Sequence, residues 1–199
     1  MIYFTADLHL GHENILRFTD RLFKTIEEHD AYLIKRWNET VDNKDTIYIL
    51  GDFAWTNHRK YLGRLNGHKI LIVGSHDKMS QLDKKQFTAI HPGMFVTEIE
   101  KQPFTLTHCA MLIWERSHYG AINLHGHSHG RLPEYPDVKR MDVGVDVSPY
   151  DYAPIPLEFI LYKMGLKGPK DIKYETTVEQ IVIDNRNKNI ELLHKMKGE

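Results

Sequence analysis

Five short runs of apolar residues, largely β-branched or aromatic, recur along the first two thirds of the chain, and each ends on aspartate, histidine or glycine. They are Ile2 to Ala6 before Asp7, Thr46 to Leu50 before Gly51-Asp52, Ile70 to Val73 before Gly74, Phe104 to Thr107 before His108, and Ala121 to Leu124 before His125-Gly126-His127. Runs that are apolar on both faces, without alternation, fit strands covered by a layer on each side. The pattern predicts a layered α/β domain whose polar groups gather along one edge.

Helical periodicity fills the gaps. Thr25-Ile26-Glu27-Glu28 has the form of a capping box, and Ile26, Leu33, Trp37 and Val41, with Ile34 beside them, draw an apolar stripe on a helix of about four turns. Further helices are expected around His58 to Leu65 and over Gln81 to Thr88. From Met94 onward strands follow more closely, with Pro and Gly between them, so the second half reads as sheet-dominated and antiparallel in part. Gly165-Leu166-Lys167-Gly168-Pro169 is a break, which predicts a domain over residues 1–164 and an extension over 165–199. In that extension Val178, Ile181, Val182, Asn185, Asn189, Leu193 and Met196 fall at near-helical spacing. A helix docked on the domain is expected there, with a partner-binding arm as the alternative. There is no internal repeat and no low-complexity tract.

Composition narrows the chemistry. A chain of 199 residues can bury a core without disulfides or structural zinc. Its formal charge of -1 gives no global signature of nucleic acid or membrane binding. Cys109 is the only cysteine, which excludes an intramolecular disulfide and a thiolate zinc cluster and fits a reducing compartment. With thirteen histidines beside it, any metal that is bound is expected to be held by imidazole and carboxylate. The first residues carry no charged leader, and no apolar stretch approaches the roughly 20 residues of a membrane span, so a soluble, cytoplasmic protein is expected.

Groups just beyond the carboxyl ends of strands in an open α/β sheet converge on a ligand crevice. Here they are Asp7 and His9, Asp52, Ser75 with His76 and Asp77, His108, and His127 with His129. Taken singly, Asp7-Leu8-His9 is usually a turn or helix cap and Gly51-Asp52 a common turn signal, Asp77 reads better as a buried turn carboxylate, and His108 could be a satisfied core histidine. Gly126-His127-Ser128-His129-Gly130 resists that treatment, because two imidazoles between glycines suit close approach to an ion. Taken together, carboxylate and imidazole suit Mn, Fe, Zn or Ni better than Ca or Mg. Six side chains exceed what one catalytic metal takes while keeping an open position, so two metals sharing a carboxylate are the economical arrangement.

In order and spacing, Asp7-Leu8-His9, Gly51-Asp52, Gly74-Ser75-His76-Asp77, Thr107-His108 and Gly126-His127-Ser128-His129 resemble the motif set of the calcineurin-like metallophosphoesterases. The resemblance runs from about residue 2 to 147 and is closest to small, capless bacterial and phage-type members, with further counterparts in Leu10 to Ile15 and Arg140 to Asp146. It implies an α/β/β/α sandwich of two mixed sheets flanked by helices, with a dinuclear metal site at the strand ends. Asp7, His9 and His129 would hold one ion, Asp52 would bridge, and His108 and His127 would hold the second. Where the family has asparagine as a further ligand, this chain has Ser75, a shorter and weaker donor. A tolerated variant, drift toward a binding role and a deliberate substitution all fit that change.

The implied activity is hydrolysis of a phosphodiester, with a phosphomonoester or nucleotide next. The nucleophile would be a hydroxide shared by two ions, preferably Mn. His76 would protonate the leaving alkoxide. His12, Asn14 and Arg17 follow the first motif at helical spacing as candidate phosphate contacts. Trp55 could stack on a nucleobase or simply pack, and Tyr150 and Tyr152 carry the same ambiguity. The partner would be a phosphate ester, a nucleotide or cyclic nucleotide among them. A protein-binding scaffold with a decayed metal site is the alternative from another class.

Overall fold

The protein is described by a computed structural model, which covers residues 1–168 apart from positions 56, 134 and 136. The helix expected in the extension, with its stripe from Val178 to Met196, lies outside the described residues. In chain order the elements are β1 (Ile2–Thr5), α1 (Ile15–Phe18), α2 (Ile26–Thr40), β2 (Thr46–Ile49), α3 (His58–Leu62), β3 (His68–Ile72), β4 (Ala89–His91), β5 (Met94–Ile99), β6 (Gln102–Thr107), β7 (Ile122–His125), β8 (Arg140–Asp142), β9 (Ile155–Pro156) and α4 (Leu157–Lys163). All five apolar runs are strands, within two residues at either end.

Two mixed sheets are stacked. The first has the order β4-β3-β2-β1-β9, parallel except for β9, and the second has the order β5-β6-β7-β8, antiparallel only between β5 and β6. Successive side chains on a strand point to opposite faces, and the core divides accordingly. Tyr3, Ile47, Ile49 and Leu71 meet Leu33, Ile34, Trp37 and Val41 from α2, together with Tyr61 and Leu62 from α3. Phe4, Tyr48, Leu50 and Ile72 face the other way, onto Phe104, Leu106, Ile122 and Leu124 of the second sheet. Helix α4 closes this inter-sheet layer at the β1–β9 edge with Leu157, Phe159, Ile160 and Leu161. Strands β1 and β2 are therefore buried on both faces, which is why their sequences do not alternate.

Helix α2 begins as its capping pattern requires. Thr25 accepts the Glu28 amide at 3.2 Å, and the Glu28 carboxylate reaches back to the Lys24 amide at 3.0 Å, one residue earlier than the reciprocal box places it. Thr25→Ala should lower stability by about 1 kcal/mol, read as a lower urea midpoint at unchanged slope; an unchanged midpoint would show the cap to be energetically idle.

The expected helix over Gln81 to Thr88 does not form. Two single 3-10 turns, Met79–Gln81 and Lys84–Gln86, stand in its place. Its buried anchors, Leu82 and Phe87, are five residues apart and would fall on different sides of an α-helix, so the segment packs both by wrapping over the core. Among the described residues no helix is long and apolar enough to cross a membrane.

Candidate metal centre

The five strands of the apolar runs, β1, β2, β3, β6 and β7, bring the polar residues that follow them to the same edge. Chain geometry there is strained: Asp7, His9, Asp52, His127 and His129 all have positive φ, at 58°, 50°, 52°, 66° and 48°. A left-handed residue other than glycine costs about 1 kcal/mol or more, and such outliers persist where the surroundings over-determine them. Glycines supply the space. A Cβ on Gly74 would lie 2.4 Å from the Asp52 amide nitrogen, and one on Gly126 would lie 2.5 Å from the Ala6 Cβ and 2.6 Å from Asp7 Oδ2.

The two buried carboxylates are held alike. Asp7 Oδ2 accepts the His127 amide at 2.8 Å, and Asp52 Oδ1 accepts the His76 amide at 2.8 Å. The other oxygen of each turns toward imidazoles. Asp52 Oδ2 lies 3.3 Å from His108 Nε2, 3.5 Å from His9 Nε2 and 3.8 Å from His76 Nε2. Asp7 Oδ1 is 3.9 Å from His108 Nδ1 and, like His9 Nε2, is buried without a hydrogen-bond partner.

The rings are set from behind. His108 Nδ1 donates to the Leu50 carbonyl at 2.9 Å, which turns Nε2 inward. His129 Nδ1 donates to Asp146 Oδ2 at 2.6 Å, which frees its Nε2. An imidazole whose second nitrogen is fixed by a carbonyl or carboxylate is the usual form of a metal-ligating histidine. His127 Nδ1 faces His108 Nε2 at 3.2 Å.

Burial and charge pull these groups apart. Burial raises Asp7 to about 7 and pushes His9 down to about 3. Burial also works to raise Asp52, but the His108 ring and the His76 amide outweigh it and hold the carboxyl at about 2. His108 is its counterpart: burial opposes its charge, yet the Asp52 carboxylate lifts it to about 9. A cation among Asp7, His9 and Asp52 would favour ionised carboxylates and neutral imidazoles, and it would engage the two orphaned atoms. Among the described residues, three groups bring ligand atoms within 4.8 Å of one another: Asp7, His9 and His129; Asp7, Asp52 and His108; and His108, Cys109 and His127. The donor set therefore fits divalent ions.

The remaining sequence candidates divide. His76 sits at the rim, its ring 5.4 Å from that of His9. Asp77 is a structural carboxylate, accepting the amides of Asp52, Phe53 and Gly74 at 2.8 to 2.9 Å. His12 is buried beside His9, with ring nitrogens 3.3 Å apart, and stacks on Trp55 at 4.1 Å. Asn14 and Arg17 are exposed and bond to each other at 2.8 Å. Ser75 is exposed beside His108, lining one hollow with Gly74, Thr107 and Cys109.

Sequence reasoning missed the support beneath the first motif. Arg21, fully buried at its side chain, donates to both oxygens of Asp146 at 2.7 Å, to the carbonyls of Asp7 and Leu8, and to His29. His29 passes the chain of bonds to Asp30, which also takes the Gly11 amide and the Tyr61 hydroxyl. Asp142 braces the His127–His129 turn through Ser128 and the Gly130 amide. The resemblance covers Arg140 to Asp146 but gives those residues no role, and no local motif pairs Asp146 with Arg21.

No family model matches the chain. The Gene 66 protein of Mycobacterium phage D29 is 27% identical over 177 residues, which cover 73% of this chain and 87% of that one. A solved structure, the protein of unknown function AQ665 from Aquifex aeolicus, is 27% identical and superposes with a TM-score of 0.63 over 78% of this chain and 94% of its own. The uncharacterized protein MJ1445 of Methanocaldococcus jannaschii is 34% identical over 175 residues, 84% of this chain and 92% of that protein. With that identity over nearly the whole relative, the chain belongs to the family of the MJ1445 protein.

Proposed function

We propose that the protein is a calcineurin-like, metal-dependent phosphohydrolase acting first on phosphodiesters. The observation that carries the reading is the pair of buried carboxylates, each with one oxygen fixed by a backbone amide and the other turned on imidazoles, beside the unpartnered Asp7 Oδ1 and His9 Nε2. Asp7, His9 and His129 would hold one divalent ion, Asp52 would bridge, and His108 and His127 would hold the second. When bound, such a pair of ions acts as a Lewis acid toward phosphoryl oxygens and activates water at neutral pH.

The protein's own groups do the rest. His76 is at the rim, its side chain 41% exposed, and its backbone amide is tied to Asp52, so its ring can meet a leaving oxygen while staying in register with the centre. It serves as the general acid. His12, which stacks on Trp55, would donate to a phosphoryl oxygen, and Arg17 would do so by exchanging its bond to Asn14.

The test is turnover of a chromogenic diester and monoester with Mn²⁺, the diester being the better substrate. Replacing His76 by alanine should cost about a hundredfold on an alkyl-leaving diester and far less on a nitrophenyl one, which needs no proton. An equal loss on both would remove His76 from the acid role. No turnover of either ester, by this chain or by Ser75→Asn, overturns the enzyme reading.

A further inference from the structure

We infer that Cys109 is a ligand of the second metal position, so that this centre is built from Asp52, His108, His127 and a thiolate. The inference rests on the two-metal reading above and changes its ligand set. The resemblance assigns the place to the residue at position 75, but Ser75 offers only a short hydroxyl, and its side chain is exposed at the hollow that it shares with Cys109.

The geometry places the sulfur among nitrogen ligands. The ligand atoms of His108, Cys109 and His127 lie within 4.8 Å of one another. His127 Nδ1 is 3.2 Å from His108 Nε2, which is itself 3.3 Å from Asp52 Oδ2. Around a tetrahedral ion with nitrogen and sulfur ligands, neighbouring donors sit about 3.3 to 3.6 Å apart. The His127–His108 and His108–Asp52 distances are already close to that spacing, and the sulfur, within 4.8 Å of the two imidazoles, would close on the ion as it binds.

The loop that carries Cys109 is tied down. Thr107 Oγ1 donates to the Cys109 carbonyl at 2.8 Å, and the Gly126 amide donates to the His108 carbonyl at 2.9 Å, which ties the Cys109 turn to the His127 turn. Cys109 has no possible disulfide partner within the chain, since it is the only cysteine. The side chain is exposed, so packing does not account for it.

Coordination would release the thiol proton to solvent as the ion binds. A sulfur ligand also shifts preference: the second position should favour Zn²⁺ or Co²⁺ over Mn²⁺, while the first keeps oxygen and nitrogen donors. The two positions would then load with different metals.

The test is a Co²⁺ titration of the metal-free full chain, followed by absorption. Two equivalents should bind, one of them bringing an intense near-ultraviolet thiolate-to-cobalt band. Cys109→Ser should abolish the band and weaken that equivalent by roughly tenfold or more, leaving the other unchanged. Ser75→Asn in the Cys109→Ser background should restore the affinity without the band. Two equivalents with no band would overturn the cysteine ligand and leave the two-metal reading standing. Fewer than two equivalents, in both this chain and Ser75→Asn, would overturn both.

Discussion

Asp52→Asn should bind fewer than two divalent ions per chain and lose activity by a factor on the order of 10⁴. A single electrostatic contact to a reacting group is typically worth about a hundredfold or more, and Asp52 would serve two ions at once. The substitution is close to a pure charge test. An asparagine keeps the shape and the carbonyl oxygen that accepts the His76 amide, so the strand-end turn should survive. What disappears is the negative oxygen that faces His9, His76 and His108. Metal stoichiometry measured alongside turnover separates the two roles. Full loading with lost activity would make Asp52 an orienting group, and full loading with full activity would remove it from the centre.

How much of this centre is legible in the sequence follows from which physics is local. Asp7, Asp52, His108 and the His127–His129 pair can be found because each ends a strand of the same construction, and a parallel arrangement brings such ends together. Helix α2 can be found for the same reason: Thr25, Glu28 and the Leu33–Trp37–Val41 stripe act within a few turns. The stretch before β4 misleads because Leu82 and Phe87 answer to the core and not to each other. Arg17, which follows the first motif, stays on the surface, while Arg21 four residues later is buried. The difference lies in partners far along the chain, Asp146 above all. Cys109 hides for another reason: one cysteine carries no spacing, and only the fold shows that it stands beside two imidazoles.

Those long-range partners yield the second large effect. Asp146→Ala should destabilise the fold by about 3 kcal/mol or more, because it leaves the Arg21 guanidinium buried opposite no carboxylate. The acid limb of stability should change with it. Burial works to raise Asp146, but the Arg21 guanidinium and the His129 ring hold it well below the ordinary carboxylate range. Its unfolded value, about 4, is therefore the higher one. The stabilisation is fully present above that value and is lost as pH falls through the folded one. Urea unfolding should show the widest gap between this chain and Asp146→Ala near pH 7 and a narrowing gap below about pH 4. A gap that stays constant with pH would assign the loss to packing instead of charge. Arg21 also holds the carbonyls of Asp7 and Leu8, and Asp146 also holds His129, so the variant should loosen the proposed first metal position before the chain unfolds. Binding of the cobalt equivalent that brings no thiolate band should weaken by about 10- to 100-fold at a pH and temperature where the fold is intact. Unchanged binding would confine the pair to stability.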